Sequence, residues 1–425
     1  MTKALKYLAA LAVLTLCCSQ KAMALPVFAR MYSYNCSTCH YPGYAELNKF
    51  GYNFRAAGYR IPSDIGKDMN DGKVDITNYL TARFSAGVKA STTTNANGTA
   101  VPDSASINLG SPSLYMAGGI STNFFAYSEL NLGNGTGIFS GSAPSLSSAK
   151  LGYVTGTENN FFTFRIGKFG ASGFGAADSE PVGSPTISGT VKPTETGMEF
   201  GYTHDDTRVT LGIYDGIQSD SYTGLDSTTN GTPATTTTLQ APASDNNNSK
   251  DIQLFVNQFI GDDGFALTGE FYNGYNGDVN TNGSATTPTT GTGDAPGQEF
   301  YNTALFLSSP VPAIKNLEFR TGIEYGQANS GLLGGTVGIG VPATTGAFLE
   351  LEYAMADITP LVFRWDTTTT NVEAANADTE KFTLGAVTPF VQTVYMNPTC
   401  TLTQTNTNAG YNNAWAFSDS MYVFF

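Results

Sequence analysis

The sequence predicts a mainly β fold: about sixteen antiparallel strands closing into a barrel over residues 74–425, preceded by a small α-helical segment. Three observations predict it. From about Ile76 to Phe425, apolar and polar residues alternate in repeated stretches, the period that sends side chains to opposite faces of a strand. The connections between these stretches alternate between short and long. The last stretch places Phe417, Met421, Val423 and Phe425 on one face.

The first element is a leader. Lys3 and Lys6 precede an apolar run from Tyr7 to Leu16, and Ala22-Met23-Ala24 supplies small residues at a cleavage box. That order predicts a cleaved secretory signal peptide over 1–24, a mature start near Leu25, and export. Cys17 and Cys18 raise the alternative of lipidation, but Leu16 rather than a small residue precedes Cys17. Of the five cysteines, two lie in the leader, two at positions 36 and 39, and Cys400 stands alone, so no disulfide framework is expected.

The second element, residues 25–73, carries Cys36-Ser37-Thr38-Cys39-His40. Two cysteines at this spacing can each add to a haem vinyl group as a thioether, and the adjacent imidazole of His40 can ligate the iron. The expected cofactor is one covalent haem c, with Cys36 and Cys39 as attachment points and His40 as an axial ligand. A zinc site is the rival reading. It lacks ligands, because there is no second cysteine pair and only one other histidine. Leu47, Phe50 and Phe54 come next at helical spacing and are expected to pack on the porphyrin, with Gly58-Tyr59 and Pro62 ending the helix. A segment this short scarcely builds its own core. It is therefore expected to plug the barrel lumen.

The third element is the barrel. Leu317, Phe319, Ile323 and Tyr325 alternate with Glu318, Arg320, Gly322 and Glu324, and similar runs surround Leu211 and Leu351. Short connections are expected near 121–123, 157–159, 204–206, 261–264, 309–315, 356–358 and at Thr388-Pro389. Long ones cover roughly 91–107, 133–148, 169–194, 217–249, 276–297, 327–345, 368–380 and 401–412. Short turns on one rim and long loops on the other are the pattern of an outer-membrane barrel, with both chain ends on the short-turn, periplasmic side. A soluble β-protein with ornate loops is the alternative. In lipid every backbone group must pair within the sheet, which only closure achieves.

The expected lumen lining is Arg83, Glu129, Arg165, Glu199, Arg208, Glu270, Glu318, Arg320, Glu324, Glu350, Glu352, Arg364 and Asp366. Acids outnumber bases there, which suits either ordinary pore lining or the guiding of cations. Removing Lys3, Lys6 and Lys21 takes the net charge from −14 to −17, a balance that excludes nucleic-acid binding through phosphate neutralisation.

The second axial ligand stays open. His204 is the other histidine, in a short turn with Asp205 and Asp206. Met116, Met198, Met355 and Met421 share faces with lipid-side residues, which leaves Met31, Met69 and Met396, the last read as pointing inward. Methionine ligation would raise the reduction potential.

Leu25-Pro26-Val27-Phe28-Ala29-Arg30, the Cys36–His40 motif, and Leu47-Asn48-x-Phe50-Gly51-x-x-Phe54-Arg55-x-x-Gly58-Tyr59, followed by a barrel, resemble the fused monohaem cytochrome-porins. The best-known members of that family are iron-oxidising outer-membrane cytochromes. One departure is Pro42, which stands earlier than the proline usual before the Leu-Asn pair. The resemblance implies an electron-transfer protein of the outer membrane. It would oxidise extracellular Fe(II) at its haem and pass electrons to a periplasmic cytochrome or cupredoxin. Electron export to an external acceptor, and a diffusion porin with a structural or sensory haem plug, remain the alternatives. Hydrolase or transferase chemistry has no readable nucleophile–base pair, so no catalytic residue beyond the haem is expected.

Overall fold

In a computed structural model of the chain, the described residues are 28, 31–34, 36–40, 47–68, 78–110, 112–133, 145–170, 194–214, 222–225, 236–239, 250–261, 265–276, 298–311, 313–314, 316–327, 343–355, 359–369, 378–391, 394–407 and 410–424. The expected leader, Met69 and Phe425 lie outside them.

Among the described residues, α1 (Cys36–Cys39) and α2 (Lys49–Ala56) precede a 3-10 turn at Pro62–Asp64. The strands are β1 (Leu80–Thr94), β2 (Ala100–Leu109), β3 (Ser113–Gly119), β4 (Phe124–Asn131), β5 (Ser145–Gly156), β6 (Asn160–Gly170), β7 (Thr194–His204) and β8 (Thr207–Tyr214). A small hairpin of β9 (Tyr222–Leu225) and β10 (Thr236–Leu239) stands in the next loop. Then come β11 (Asp251–Ile260), β12 (Phe265–Asn276), β13 (Gln298–Pro310), β14 (Leu317–Gln327), β15 (Ala343–Met355), β16 (Thr359–Thr369) and β17 (Asp378–Ala386). The last four are β18 (Thr388–Val391), β19 (Val394–Met396), β20 (Thr399–Thr407) and β21 (Gly410–Phe424).

Sixteen strands make one closed antiparallel ring. It runs from β1 through β3 to β8, on through β11 to β17, then through β20 and β21 back to β1. The closing seam is long, from Arg83↔Phe424 to Thr94↔Asn413. β2 continues the line of β3: it pairs with the upper part of β1 while β3 pairs with the lower part.

The faces of the wall are inverted relative to a water-soluble protein. On β8 and β11, Val209, Leu211, Ile252 and Leu254 point outward and are 37–47% exposed, whereas Gln253, Phe255 and Asn257 are buried on the inner face. Apolar-out, polar-in alternation is what lipid demands of a barrel. Every charged side chain expected in the lumen falls on the inward-facing set, and most are buried, Glu350 and Arg364 completely. Among the described residues, no helix is long and apolar enough to cross a membrane.

Three expected connections differ. Residues 91–107 and 401–412, read as long loops, are instead hairpins in which β1 runs to Thr94 and β20 to Thr407. Their β-branched threonines suit a strand once neighbouring strands supply hydrogen-bond partners. Thr388-Pro389 is no turn; it lies in β18, and the chain reverses between Val391 and Val394.

Candidate functional site

The Cys36–His40 stretch is a single helical turn held down by Asn48 and the start of α2. Asn48 caps α2, its Oδ1 accepting from the Gly51 amide at 2.9 Å. The same residue holds α1 with its other groups: its amide donates to the Cys39 carbonyl at 2.9 Å, and Nδ2 donates to the Thr38 carbonyl at 3.1 Å. His40 and Leu47 form an antiparallel bridge. Gly51 makes the approach possible, since a Cβ there would strike the Cys39 carbonyl. The helix begins at Lys49, so Leu47, expected on its face, belongs to the bridge instead.

The residues on either side of this turn contribute a cluster of rings. Phe54 meets Phe28 and Tyr32 edge-on at 5.1 and 5.4 Å between centroids, and Tyr34 meets Phe50 at 5.7 Å. Burial pushes the Cys39 thiol up to about 11. Two cysteines three apart on one turn, an imidazole directly after them and an aromatic surround together fit covalent haem. Among the described residues, no group of three His, Cys, Asp or Glu side chains could hold a bare metal ion.

Residues 47–68 are fastened to the barrel wall at its short-turn end. Arg60, fully buried, donates to the carbonyls of Thr122 at 2.5 Å, Phe124 at 2.9 Å and Ser121 at 3.2 Å, all in the turn before β4. Desolvation pulls its pKa below the usual guanidinium value. Thr163 donates to the Ala56 carbonyl at 2.9 Å, Lys49 pairs with Asp206 at 2.5 Å, and Tyr52 meets Phe259 edge-on. Burial pushes the Tyr52 phenol up to about 12. Phe54, Ala57 and Tyr59 complete a core with inward-facing Phe125, Val154 and Phe161. Each large apolar side chain buried this way contributes about 1.5–3 kcal/mol. The chain turns back at Gly58 (φ +75) and Tyr59 (φ +61), a left-handed pair that glycine eases at the first position.

The remaining ligand candidates are scattered. His204 is exposed at the end of β7, bonded to Asn160 and 3.7 Å from Asp205. Met31 is half-buried beside Tyr32. Met396 stands opposite Met421, whose side chain is exposed on the outer face, so it faces outward too. The inward reading of Met396 is corrected, because its pairing with β18 shifts register between Pro389 and Val391, and a one-residue shift changes the face a side chain takes. Sequence reasoning misses the roles of Asn48 and Arg60. Asn48 has a signal, an asparagine directly before a helical run, whereas nothing marks Arg60 apart from any other arginine.

No family model and no curated protein matches the sequence. Solved structures match its fold. The outer-membrane channel DcaP of Acinetobacter baumannii superposes with a TM-score of 0.52 at 10% identity, over 81% of this chain and 96% of that one. An anion-selective porin from Comamonas acidovorans gives 0.51 at 8% identity, over 81% and 98%. OmpF of Salmonella typhi, in complex with daunomycin, gives 0.50 at 11% identity, over 81% and 97%. At such identities the likeness shows the fold, that of an outer-membrane porin.

Proposed function

We propose that this chain is an outer-membrane electron-transfer protein, a barrel whose N-terminal segment holds one covalent haem c through Cys36 and Cys39 with His40 on the iron. The observation that carries this reading is the Cys36–His40 turn itself, tied by Asn48 to a helix that docks inside the barrel wall. The bound group would supply an iron that accepts and returns single electrons. The chain does the rest. Asn48 and Gly51 orient the attachment turn, the rings of Phe28, Tyr34, Phe50 and Phe54 keep water from it, and Arg60 anchors the segment.

Export through a cleaved leader would bring the chain to the compartment where such attachment takes place. The donor is extracellular Fe(II), and the acceptor is a periplasmic cytochrome or cupredoxin. Purified protein mixed with Fe(II) should develop the absorption of a reduced c-type haem. A haem that stays oxidised across a range of pH would sink the iron-oxidising reading.

The likeness to channels and porins favours a second reading, a diffusion porin in which the haem segment is a structural or sensory plug. Solute flux through the protein in liposomes, together with a haem inert to Fe(II), would support it.

A further inference from the structure

We propose that a chain of inward-facing aromatic rings, from Phe50 beside the attachment turn to Tyr272 below the long loops, is the path by which an electron crosses the barrel; this rests on the electron-transfer function above. A path is needed because α1 and α2 sit at the short-turn end. A strand of the length of β6, tilted as in porins, puts the opposite rim on the order of 25 Å away. Electron transfer falls off steeply with distance, and closely spaced π systems shorten each step.

The lower half of the path lies in the docked segment. Phe50 is 6.5 Å from Phe54, Phe54 is 5.1 Å from Phe28, and Phe28 stacks on Tyr59 at 5.5 Å and 7°. Tyr59 stacks in turn on Tyr127 of β4 at 5.7 Å, which carries the path from the segment to the wall. The upper half is entirely wall. Phe169 near the top of β6 lies 6.3 Å from Tyr214 at the top of β8, and Tyr214 stacks on Tyr272 of β12 at 6.2 Å. These three rings are buried and form their own cluster.

Lys150 joins the halves. Its ammonium lies 4.8 Å from the Tyr127 ring centre and 5.9 Å from that of Phe169, so the two rings are no farther apart than those spans together. The two upper phenols each have a proton acceptor: Tyr214 donates to Glu199 Oε1 at 2.5 Å and Tyr272 to Asp251 Oδ2 at 2.8 Å. In the balanced step a ferrous ion at the long-loop rim loses one electron and becomes ferric. The electron would be taken up by the redox group that Cys36, Cys39 and His40 would hold. No ring is itself oxidised or reduced: the rings serve as the bridge through which the electron tunnels, the phenols of Tyr214 and Tyr272 keep their protons, and no bond between heavy atoms forms or breaks.

The test uses the full-length haem protein in liposomes with the long-loop rim outside. Phe169→Leu and Tyr214→Leu should each slow haem reduction by external Fe(II) roughly tenfold or more, and Tyr214→Phe by less. Reduction by ascorbate supplied from the short-turn side should be unchanged. Heat-modifiable migration on gels reports that each barrel has folded.

A second readout needs no haem. In a Cys36→Ser, Cys39→Ser protein carrying Tyr127→Trp, with Trp365 and Trp415 replaced by Phe, an impermeant ruthenium photo-oxidant outside should generate a tryptophan radical. Phe169→Leu should abolish that signal. Wild-type reduction rates in the folded Phe169→Leu and Tyr214→Leu proteins would overturn the path. So would variants that change only solute flux, which would make the rings a solute track. A tryptophan radical in a protein whose haem ignores Fe(II) would keep the path and discard the donor.

Discussion

The guanidinium of Arg60 donates to the Thr122 carbonyl at 2.5 Å, and through that bond the helical segment is locked to the turn between β3 and β4. Two further carbonyls, of Ser121 and Phe124, complete the grip. Charge-assisted bonds of this kind contribute about 1.5–3 kcal/mol each when both partners are buried. Arg60→Ala should therefore loosen the segment without opening the barrel. The expected result is rapid protease cleavage within 47–68 in detergent, with unchanged heat-modifiable migration; equal resistance to wild type would show that the apolar core alone holds the segment.

Lys49 and Asp206 also join the segment to the wall, but both are about one-third exposed. Exposed ion pairs are worth about 0–1 kcal/mol and weaken with salt. Asp206→Asn should leave protease resistance almost unchanged, in contrast to Arg60→Ala. A double-mutant cycle on the two positions, run at low and high salt, checks this.

Gly51 touches the attachment turn through the Cys39 carbonyl. Gly51→Ala should push α1 away from α2 and lower haem incorporation, while the barrel still folds. Haem staining on denaturing gels beside total protein measures the ratio. Full incorporation in Gly51→Ala would mean the turn has room to move.

Cys36→Ser with Cys39→Ser should abolish covalent haem altogether, and His40→Ala should leave haem attached with altered absorption. Staining that survives the double replacement would place the attachment elsewhere.

Inside the wall, Glu350 accepts from Arg320 at 2.6 Å and from Arg364 at 3.2 Å, all three groups being buried. Removing one member of such a cluster leaves charge without its partner and costs about 3–5 kcal/mol. Glu350→Gln should lower the urea midpoint of the barrel measurably, and Arg320→Met with Glu350→Leu should recover part of the loss.

The barrel is legible because period-two alternation survives along most strands, as at Leu317–Tyr325, and because most of the charged residues expected in the lumen fall on its inward side. The seam is less legible. Thr92, Thr401 and Thr403 read as loop by composition, yet they are strand by pairing, since only the partner strand tells the two apart. Met396 takes the face opposite to its sequence expectation for a related reason: the register shifts between Pro389 and Val391, and a shift of one residue flips the side chains beyond it. The Cys36–His40 motif is plain in the sequence. The contacts that position it are not, because Arg60 meets Thr122 and Ala56 meets Thr163 across separations that no local pattern records. The rings of Phe169, Tyr214 and Tyr272 are ordinary strand aromatics until the register brings them together.

The seam between β1 and β21 also dictates an order of events. Arg83 meets Phe424 from the far end of the barrel sequence, so the ring stays open until β21 arrives. A contact this remote in sequence forms late. Residues 47–68 precede β1 and end up inside the wall, packed on strands that form before the seam closes. A chain cut short before β21 would expose two raw edges and leave its cargo unsealed.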